Sequence, residues 1–445
     1  MREVPGAGYP GGVNPRSLGP LTLLALGING IVGVGIFVSP PIVAAAVPGE
    51  RGAVLYVLIA LGCLPIALAY ARLARAMPRD GGPYLYAEHA FGRRVALSIG
   101  ALVWVSSVFS TAAVTRALSD LCASALHHPG WSPAIAVSLV VALAAVNARG
   151  LRLSALAWTV LTALKLAPLI TIAVLGLTSK SSSTGAVSAA AVASTVATAP
   201  SPIGPALLAI LFALQGFEIV PLPAGQARDA ERTVPRATVA SLLAAAVLYA
   251  FVHLACVRTL PSLATIDAPI TAAARALGGT TLARAVGFGV VASIAGIVVG
   301  MHAMTPRYLA ALFDRSARPF ATETFRHEAS DRDEQPPTRA STTGILRSIV
   351  ISAVLIAPLV AFGSLQRLVS LSSVAVLAQY GVTASALFQL SRLRRHGLVP
   401  RDAWPVPLML VVVVVLLLQA RPLEVAFAAG VAALGAAFTL RARPA

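Results

Sequence analysis

The sequence predicts an all-α membrane protein with about 12 transmembrane helices. Three observations carry this. Of 445 residues, 57% are hydrophobic and only 11% are charged, whereas a soluble domain, which water must wet, carries about 25% charged residues. The apolar residues gather in runs of about 20, the length that crosses a bilayer. The first run holds a glycine cluster, and the sixth a mid-run glycine followed by two prolines, which an uninterrupted helix avoids.

The runs fall at 18–46, 52–77, 85–123, 132–148, 151–178, 203–228, 235–260, 284–315, 343–362, 366–391, 405–420 and 422–441. The third and eighth are long enough to tilt or to extend beyond the lipid. The organisation read from them is a cytoplasmic tail at 1–17, a first repeat at 18–178 and an extracellular loop at 179–202. A second repeat at 203–391 follows, then the last two spans and a short tail at 392–445. The loop is small, polar and low in complexity, which predicts little fixed structure. The acidic and basic stretch 316–342 is the largest inner loop.

Net charge is +17, but its distribution argues against a nucleic-acid partner. Arginines cluster between the runs, at Arg72/Arg75/Arg79, Arg93/Arg94, Arg228/Arg232/Arg236 and Arg392/Arg394/Arg395, without the basic, aromatic-laced stripe that tracks phosphates. With both termini in the cytoplasm, about 25 of the 34 Lys and Arg lie inside and about 8 outside. The chain is therefore expected as a multi-pass protein of the inner (plasma) membrane. The first seventeen residues lack an apolar h-region, so no cleaved signal peptide is expected. Cys63, Cys122 and Cys256 read as small buried hydrophobes, and no metal or cofactor site is expected.

In the first run Gly27, Gly30, Gly33 and Gly35 precede Pro40-Pro41; in the sixth, Gln215-Gly216-Phe217-Glu218 precedes Pro221 and Pro223. Glycine costs about 1 kcal/mol against alanine inside a helix, and proline removes a donor. Non-helical backbone at membrane depth persists only inside protein or beside a cavity. Breaks in runs one and six fit two repeats of inverted topology, spans 1–5 and 6–10, with a site where the breaks meet. Freed N–H groups attract a carboxylate and freed carbonyls an ammonium, so the pair suits a zwitterion such as an amino acid. The competing reading is that the glycines only permit close helix packing.

These residues resemble the amino acid–polyamine–organocation (APC) superfamily of permeases, over about Leu18 to Arg395. Gly33-Val34-Gly35-Ile36-Phe37 looks like its GxGIF segment. Ala67 to Arg93 resembles the end of span 2, the inner loop and the start of span 3. Ala213 to Glu218, Ala224-Gly225-Gln226 and Arg232 to Arg236 resemble span 6 and its tail, and Arg307-Tyr308-Leu309 with Arg315 the end of span 8. The resemblance implies a leucine-transporter-type bundle, 5+5 inverted repeats plus two peripheral helices, with helices 1 and 6 broken. It also implies that the N–H groups of Val34 and Gly35 receive a substrate carboxylate beside Gly33 and Gly216. The carbonyls of Ile31, Phe212 and Gln215 would receive the ammonium, and the Phe212 ring would close over the substrate. Arg72 and Gln226 stand where many members have Glu, and Ala230 replaces a common Pro.

Lys165 lies inside the apolar run of span 5, where an ammonium costs about 2.5–3.5 kcal/mol on insertion scales. Desolvation disfavours the charged form of an amine, which is what a proton carrier exploits. The resemblance adds that proton-coupled members carry Lys here, where sodium-coupled relatives bind a cation. The alternative is a lysine that only pairs with the carbonyls of a broken helix. Glu218 reads either as a proton-linked carboxylate or as an acceptor that holds the unwound backbone. His302 reads as a satisfied interior histidine, and Arg116, Asp120, His127 and His128 as an outer rim. Ser106, Ser107, Ser110 and Gln215 are neutral candidates for the side-chain pocket. No HExxH or GxSxG motif marks an enzyme. The expected function is import of L-amino acids by alternating access with proton symport, in a lipid bilayer. Amino acid/amine (polyamine) exchange is the alternative, and a non-transporting amino acid sensor a more distant one.

Overall fold

The computed structural model describes residues 18–79, 82–149, 155–178, 203–313 and 339–441. The tail at 1–17, the loop at 179–202 and most of the inner loop at 316–342 lie outside them. The described residues are helical throughout, apart from turns and a single bridge between Leu18 and Ala227.

The first run becomes α1 (Pro20–Ile31) and α2 (Gly35–Ala46), a pair bent by 49°. Next come α3 (Arg51–Ala76), α4 (Gly82–Phe91), α5 (Arg93–Ala125), α6 (Ser132–Ala148) and α7 (Ala155–Thr178). The third run thus divides into α4 and α5 at Gly92, whose φ of +82° suits a residue without Cβ. The second half holds α8 (Ile203–Leu214), α9 (Ala230–Thr259), α10 (Pro269–Phe313), α11 (Arg339–Phe362) and α12 (Leu365–Arg392), then α13 (Pro405–Leu417) and α14 (Pro422–Arg441). α10 turns at Gly278–Gly279, so the eighth span is preceded by a short helix from Pro269 that lies outside the run at 284–315. Among the described residues, eight helices are long and apolar enough to cross a membrane, or nine with the α1–α2 pair; shorter apolar stretches lie at Lys165–Leu177, Ile203–Ile219 and Pro422–Val431.

The two halves interlock rather than sit side by side. α9 packs along α3 and against α1 and α7, α12 and α10 pack on α5, and α2 packs against α8. Large apolar side chains face outward, among them Leu58, Leu61, Val247, Phe288, Val354, Phe362 and Val411, as a lipid-facing surface requires. Buried tyrosines occupy the centre instead: Tyr56, Tyr70, Tyr86, Tyr249 and Tyr380 are sealed from solvent. Each carries a hydroxyl that must find a partner in a dry interior, and those partners lead to the site.

Candidate functional site

α1 ends when the Val32 N–H returns to the Ile28 carbonyl at 2.8 Å. Residues 32–34 then leave the helix, and α2 starts at Gly35 with no side-chain cap on its first turn. An uncapped helix start presents unsatisfied N–H groups and the positive end of its dipole. Val34 and Gly35 stand at this start. Gly27 and Gly30, by contrast, remain inside α1 and serve close packing. A Cβ at Gly27 would lie 2.5 Å from Ser241 Oγ, and one at Gly30 would lie 2.9 Å from the Gly216 carbonyl oxygen. The packing reading therefore holds for Gly27 and Gly30, and Gly35 too lies tight against a neighbour, Ala213 of α8.

α8 ends at Leu214, and Gln215 N–H bonds back to the Leu211 carbonyl at 3.0 Å. Gly216 then takes φ +121°, ψ −18°, a conformation that side chains rarely tolerate. Its N–H leaves the helical ladder and donates to Glu218 Oε2 at 2.8 Å. The Tyr380 hydroxyl donates to the same oxygen at 3.3 Å. Glu218 thus acts as the acceptor that closes the break. The chain continues through two short 3-10 turns, Phe217–Ile219 and Ala224–Gln226, before α9 begins at Ala230. Span 6 therefore does not resume as a regular half-helix.

The breaks meet backbone to backbone. A Cβ on Gly216 would overlap the Gly30 carbonyl and lie 2.7 Å from Ile31 N, while one on Gly35 would lie 2.9 Å from Ala213 N. The carbonyls at the end of α1 are held from two sides. Lys165, 3% exposed, donates from Nζ to the Asn29 carbonyl at 2.6 Å. Tyr249 of α9 donates its hydroxyl to the Ile31 carbonyl at 2.9 Å. Of the carbonyls assigned to an ammonium, Ile31 thus already has one partner and keeps its second lone pair. Phe212, in the last turn of α8, packs its ring among Val108, Phe109 and Ala112 of α5 and Val369 of α12.

Hydroxyl groups line the seam beside Phe212. Ser110 Oγ meets Ser372 Oγ at 2.6 Å, and Ser106 donates to the Ser372 carbonyl at 3.3 Å. Gln215 donates from Nε2 to Ser373 Oγ at 3.3 Å, and Ser373 in turn to the Leu208 carbonyl at 3.1 Å. Ser107 pairs with Thr305 at 2.6 Å, where Thr111 also bonds. Toward the end of the bundle that carries Leu18, the rings of Tyr70, Tyr86, Phe217 and Tyr380 close together at centroid distances of 5.8 to 6.3 Å. Gln379 and Thr383 bond the Tyr70 hydroxyl. Farther out at that end, Arg228 N–H bonds the Leu18 carbonyl at 2.9 Å, and Arg72 lies 4.0 Å from Asp402 and over the Trp404 ring.

The other polar candidates lie apart from the breaks. Arg116 pairs with Asp120 at 2.9 Å and donates to the carbonyls of Val360 and Gly363, so it ties α5 to the end of α11. His127 and His128 stay at the exposed turn after α5, with His128 stacked on Trp131. His302 Nδ1 meets the Val298 carbonyl at 2.9 Å, whereas its Nε2 has no hydrogen-bond partner, so the histidine is only half satisfied. An apolar groove along α6, lined by Trp131, Ala134, Ile135 and Leu139, offers no chemistry. Among the described residues, no group of three or more His, Cys, Asp and Glu is placed to hold a metal ion. Sequence reasoning missed Tyr249 and Tyr380; the available signal was a tyrosine in an apolar span, whose hydroxyl must be satisfied somewhere.

Comparison with known proteins gives a consistent picture. A family model described as amino acid permease matches residues 18–435. The chain is 27% identical over 403 residues to the serine/threonine exchanger SteT of Bacillus subtilis, covering 88% of this chain and 86% of that one. It is 29% identical over 248 residues to the branched-chain amino acid permease BcaP of Lactococcus lactis, covering 52% of this chain and 53% of the other. Human cationic amino acid transporter 4 is 26% identical over 255 residues, covering 53% and 40%.

Proposed function

The chain belongs to the amino acid permease family, a multi-pass membrane family of the APC superfamily, and on that premise we propose that it imports L-amino acids by alternating access coupled to a proton. Both termini then lie in the cytoplasm, as the arginine distribution favours. The substrate carboxylate takes the N–H groups of Val34 and Gly35 at the start of α2, beside Gly33. The ammonium takes the free lone pair of Ile31 and the carbonyls of Phe212 and Gln215, next to Gly216. Phe212 covers the bound molecule. Lys165 carries the proton, and Glu218 either shares that task or remains the structural acceptor of the break.

The observation that carries the reading is the 2.6 Å hydrogen bond from Lys165 Nζ to the Asn29 carbonyl. An ammonium at this depth is costly, and its one acceptor among the described contacts belongs to the helix that bears the substrate poles. Gain and loss of that proton therefore strengthen and weaken a bond between α7 and the broken span. A second reading, obligatory exchange, is favoured by the likeness to SteT, an exchanger, over most of both chains.

Reconstitution in liposomes separates the two. With an imposed acid-outside gradient, the wild type concentrates labelled amino acid, while Lys165→Ala and Lys165→Arg lose acid-driven uptake and keep counterflow. If acid-driven uptake persists unchanged in both variants, Lys165 is not the proton carrier. If wild-type uptake ignores the gradient and requires amino acid inside the vesicle, exchange is the correct reading.

A further inference from the structure

Two polar pairs beside the breaks, one of two hydroxyls and one of an amide with a hydroxyl, bear on which side chain the site selects. Ser110 and Gln215 are both partly exposed, although they lie on spans packed deep in the bundle. Each is bonded to one of two adjacent, fully buried serines of α12, Ser110 to Ser372 and Gln215 to Ser373. Those serines are fixed in turn, because Ser106 donates to the Ser372 carbonyl and Ser373 donates to the Leu208 carbonyl. The result is a rigid polar strip with two accessible ends. It runs through an otherwise apolar wall of Phe212, Val108, Phe109 and Val369.

The strip has no charged member. The nearest acid of the break, Glu218, already accepts from the Gly216 N–H and the Tyr380 hydroxyl, and Lys165 is engaged at Asn29. A side chain entering here meets hydroxyl and amide groups with spare capacity. A serine hydroxyl offers one donor and two acceptor positions, and an amide oxygen offers two more. We propose that Ser110 and Gln215, backed by Ser372 and Ser373, form a side-chain subsite that selects small neutral amino acids bearing a hydroxyl, threonine and serine, over their apolar isosteres.

This rests on the permease reading above and narrows its substrate class. The size of the preference follows from the pairing. Ser110 and Ser372 satisfy each other when the strip is empty, so an apolar isostere leaves no buried group orphaned. The ligand hydroxyl gains a neutral hydrogen bond, which corresponds to a preference of roughly tenfold. It does not reach the 10⁴-fold rejection, to order of magnitude, seen where a missing hydroxyl strands a buried partner. Cationic and anionic side chains have no counter-charge in the strip and are rejected more strongly.

The test is the kcat/KM ratio for labelled L-threonine against its isostere L-valine, and for L-serine against L-alanine, in proteoliposomes of the full chain. The wild type is expected to prefer threonine by roughly tenfold. In Ser110→Ala the ratio falls toward one, and in Ser110→Thr, which keeps the hydroxyl, it is retained. Ser385→Ala, which removes an exposed hydroxyl of α12 bonded within its own helix to the Gly381 carbonyl, leaves the ratio at the wild-type value. Should Ser110→Ala not fold, the wild-type ratio and Ser110→Thr still decide. Equal handling of threonine and valine by the wild type, or an unchanged ratio in Ser110→Ala, overturns the subsite and leaves amino acid transport standing. Transport of none of the amino acids overturns the permease reading, and the subsite with it.

Discussion

Gly216→Ala is the sharpest probe of the site, because the effect is worked from a single contact. The glycine sits at φ +121° with its α-carbon against the last turn of α1, at Gly30 and Ile31. A methyl group there lies 2.7 Å from Ile31 N. The methyl overlaps the Gly30 carbonyl more closely still; contacts of this kind settle near about 3.5 Å, so the two segments must part by more than roughly 0.8 Å. Backbone strain at a positive φ costs about 1–2 kcal/mol, and overpacking adds about 1–3 kcal/mol. Transport suffers more than stability, since a displacement of about 1 Å in a positioned site can cost about 10²-fold in rate.

The structure supplies its own control in the same site. A Cβ on Gly33 meets only the Ile31 carbonyl oxygen, at an ordinary 3.6 Å, so Gly33→Ala is expected to leave thermal stability near wild type. Gly216→Ala should lower the unfolding midpoint of the purified protein and cut initial uptake rates in proteoliposomes by about 10²-fold. Wild-type stability together with wild-type uptake in Gly216→Ala would refute the contact between the two breaks. Equal damage from Gly33→Ala and Gly216→Ala would show that the loss reflects glycine content and not this contact.

Two further expectations follow from groups the site depends on less directly. Tyr249→Phe removes the donor to the Ile31 carbonyl; a buried acceptor left unsatisfied costs about 1–3 kcal/mol, read as a lower unfolding midpoint, and added amino acid should recover part of it because the substrate ammonium supplies a donor. No loss in Tyr249→Phe would mean that the carbonyl already has another partner. At the opposite end, the Arg258 hydrogen bond at 2.8 Å holds the Glu50 carboxyl below its ordinary pKa. A depressed carboxyl pKa contributes stability above its unfolded value and loses it as pH falls below about 4. The pair is largely solvent-exposed, so Glu50→Gln should cost at most about 0.5 kcal/mol and remove that small acid-dependent component from the unfolding curve; a loss several times larger would mark the pair as a closed gate rather than a surface contact.

Much of the fold was legible because the bilayer leaves few choices. Apolar runs with arginine between them specify helices and their limits, and Gly33-Val34-Gly35 marks the span 1 break to within a residue. Gly27 and Gly30 show where that legibility stops. They look like further break residues, yet they are helical, because their partners Ser241, Val220 and Ile219 approach from more than 180 positions along the chain. The span 6 break is similar: Gly216 and Glu218 were visible, but the bond from one to the other and the long irregular stretch to Ala230 were not. Lys165 stood out as a lone charge in an apolar run, whereas its acceptor, a main-chain carbonyl, carries no mark in the sequence. Tyr249 and Tyr380 carried even less, since a tyrosine in a span resembles any other aromatic until its hydroxyl is followed to its partner.

The proposed coupling needs no long relay through the protein. Asn29 and Ile31 are two residues apart at the end of α1, and their carbonyls are held from opposite halves of the chain, by Lys165 of α7 and Tyr249 of α9. The substrate ammonium would compete for lone pairs on the same short segment, while its carboxylate would bind three residues further on, at the start of α2. A proton leaving Lys165 would weaken the tie from α7 to α1, and a bound zwitterion would strengthen the tie from α1 to α2. Both events act on the last turn of α1 and the break that follows it, so each changes the free energy of the other through a shared set of acceptors. Linkage of this kind is reciprocal: if a proton on Lys165 tightens amino acid binding, then saturating amino acid must raise the proton affinity of the site by the same factor. Proton uptake measured on adding substrate to the wild type, and its absence in Lys165→Ala, would establish that symmetry; substrate binding without proton uptake in the wild type would break it.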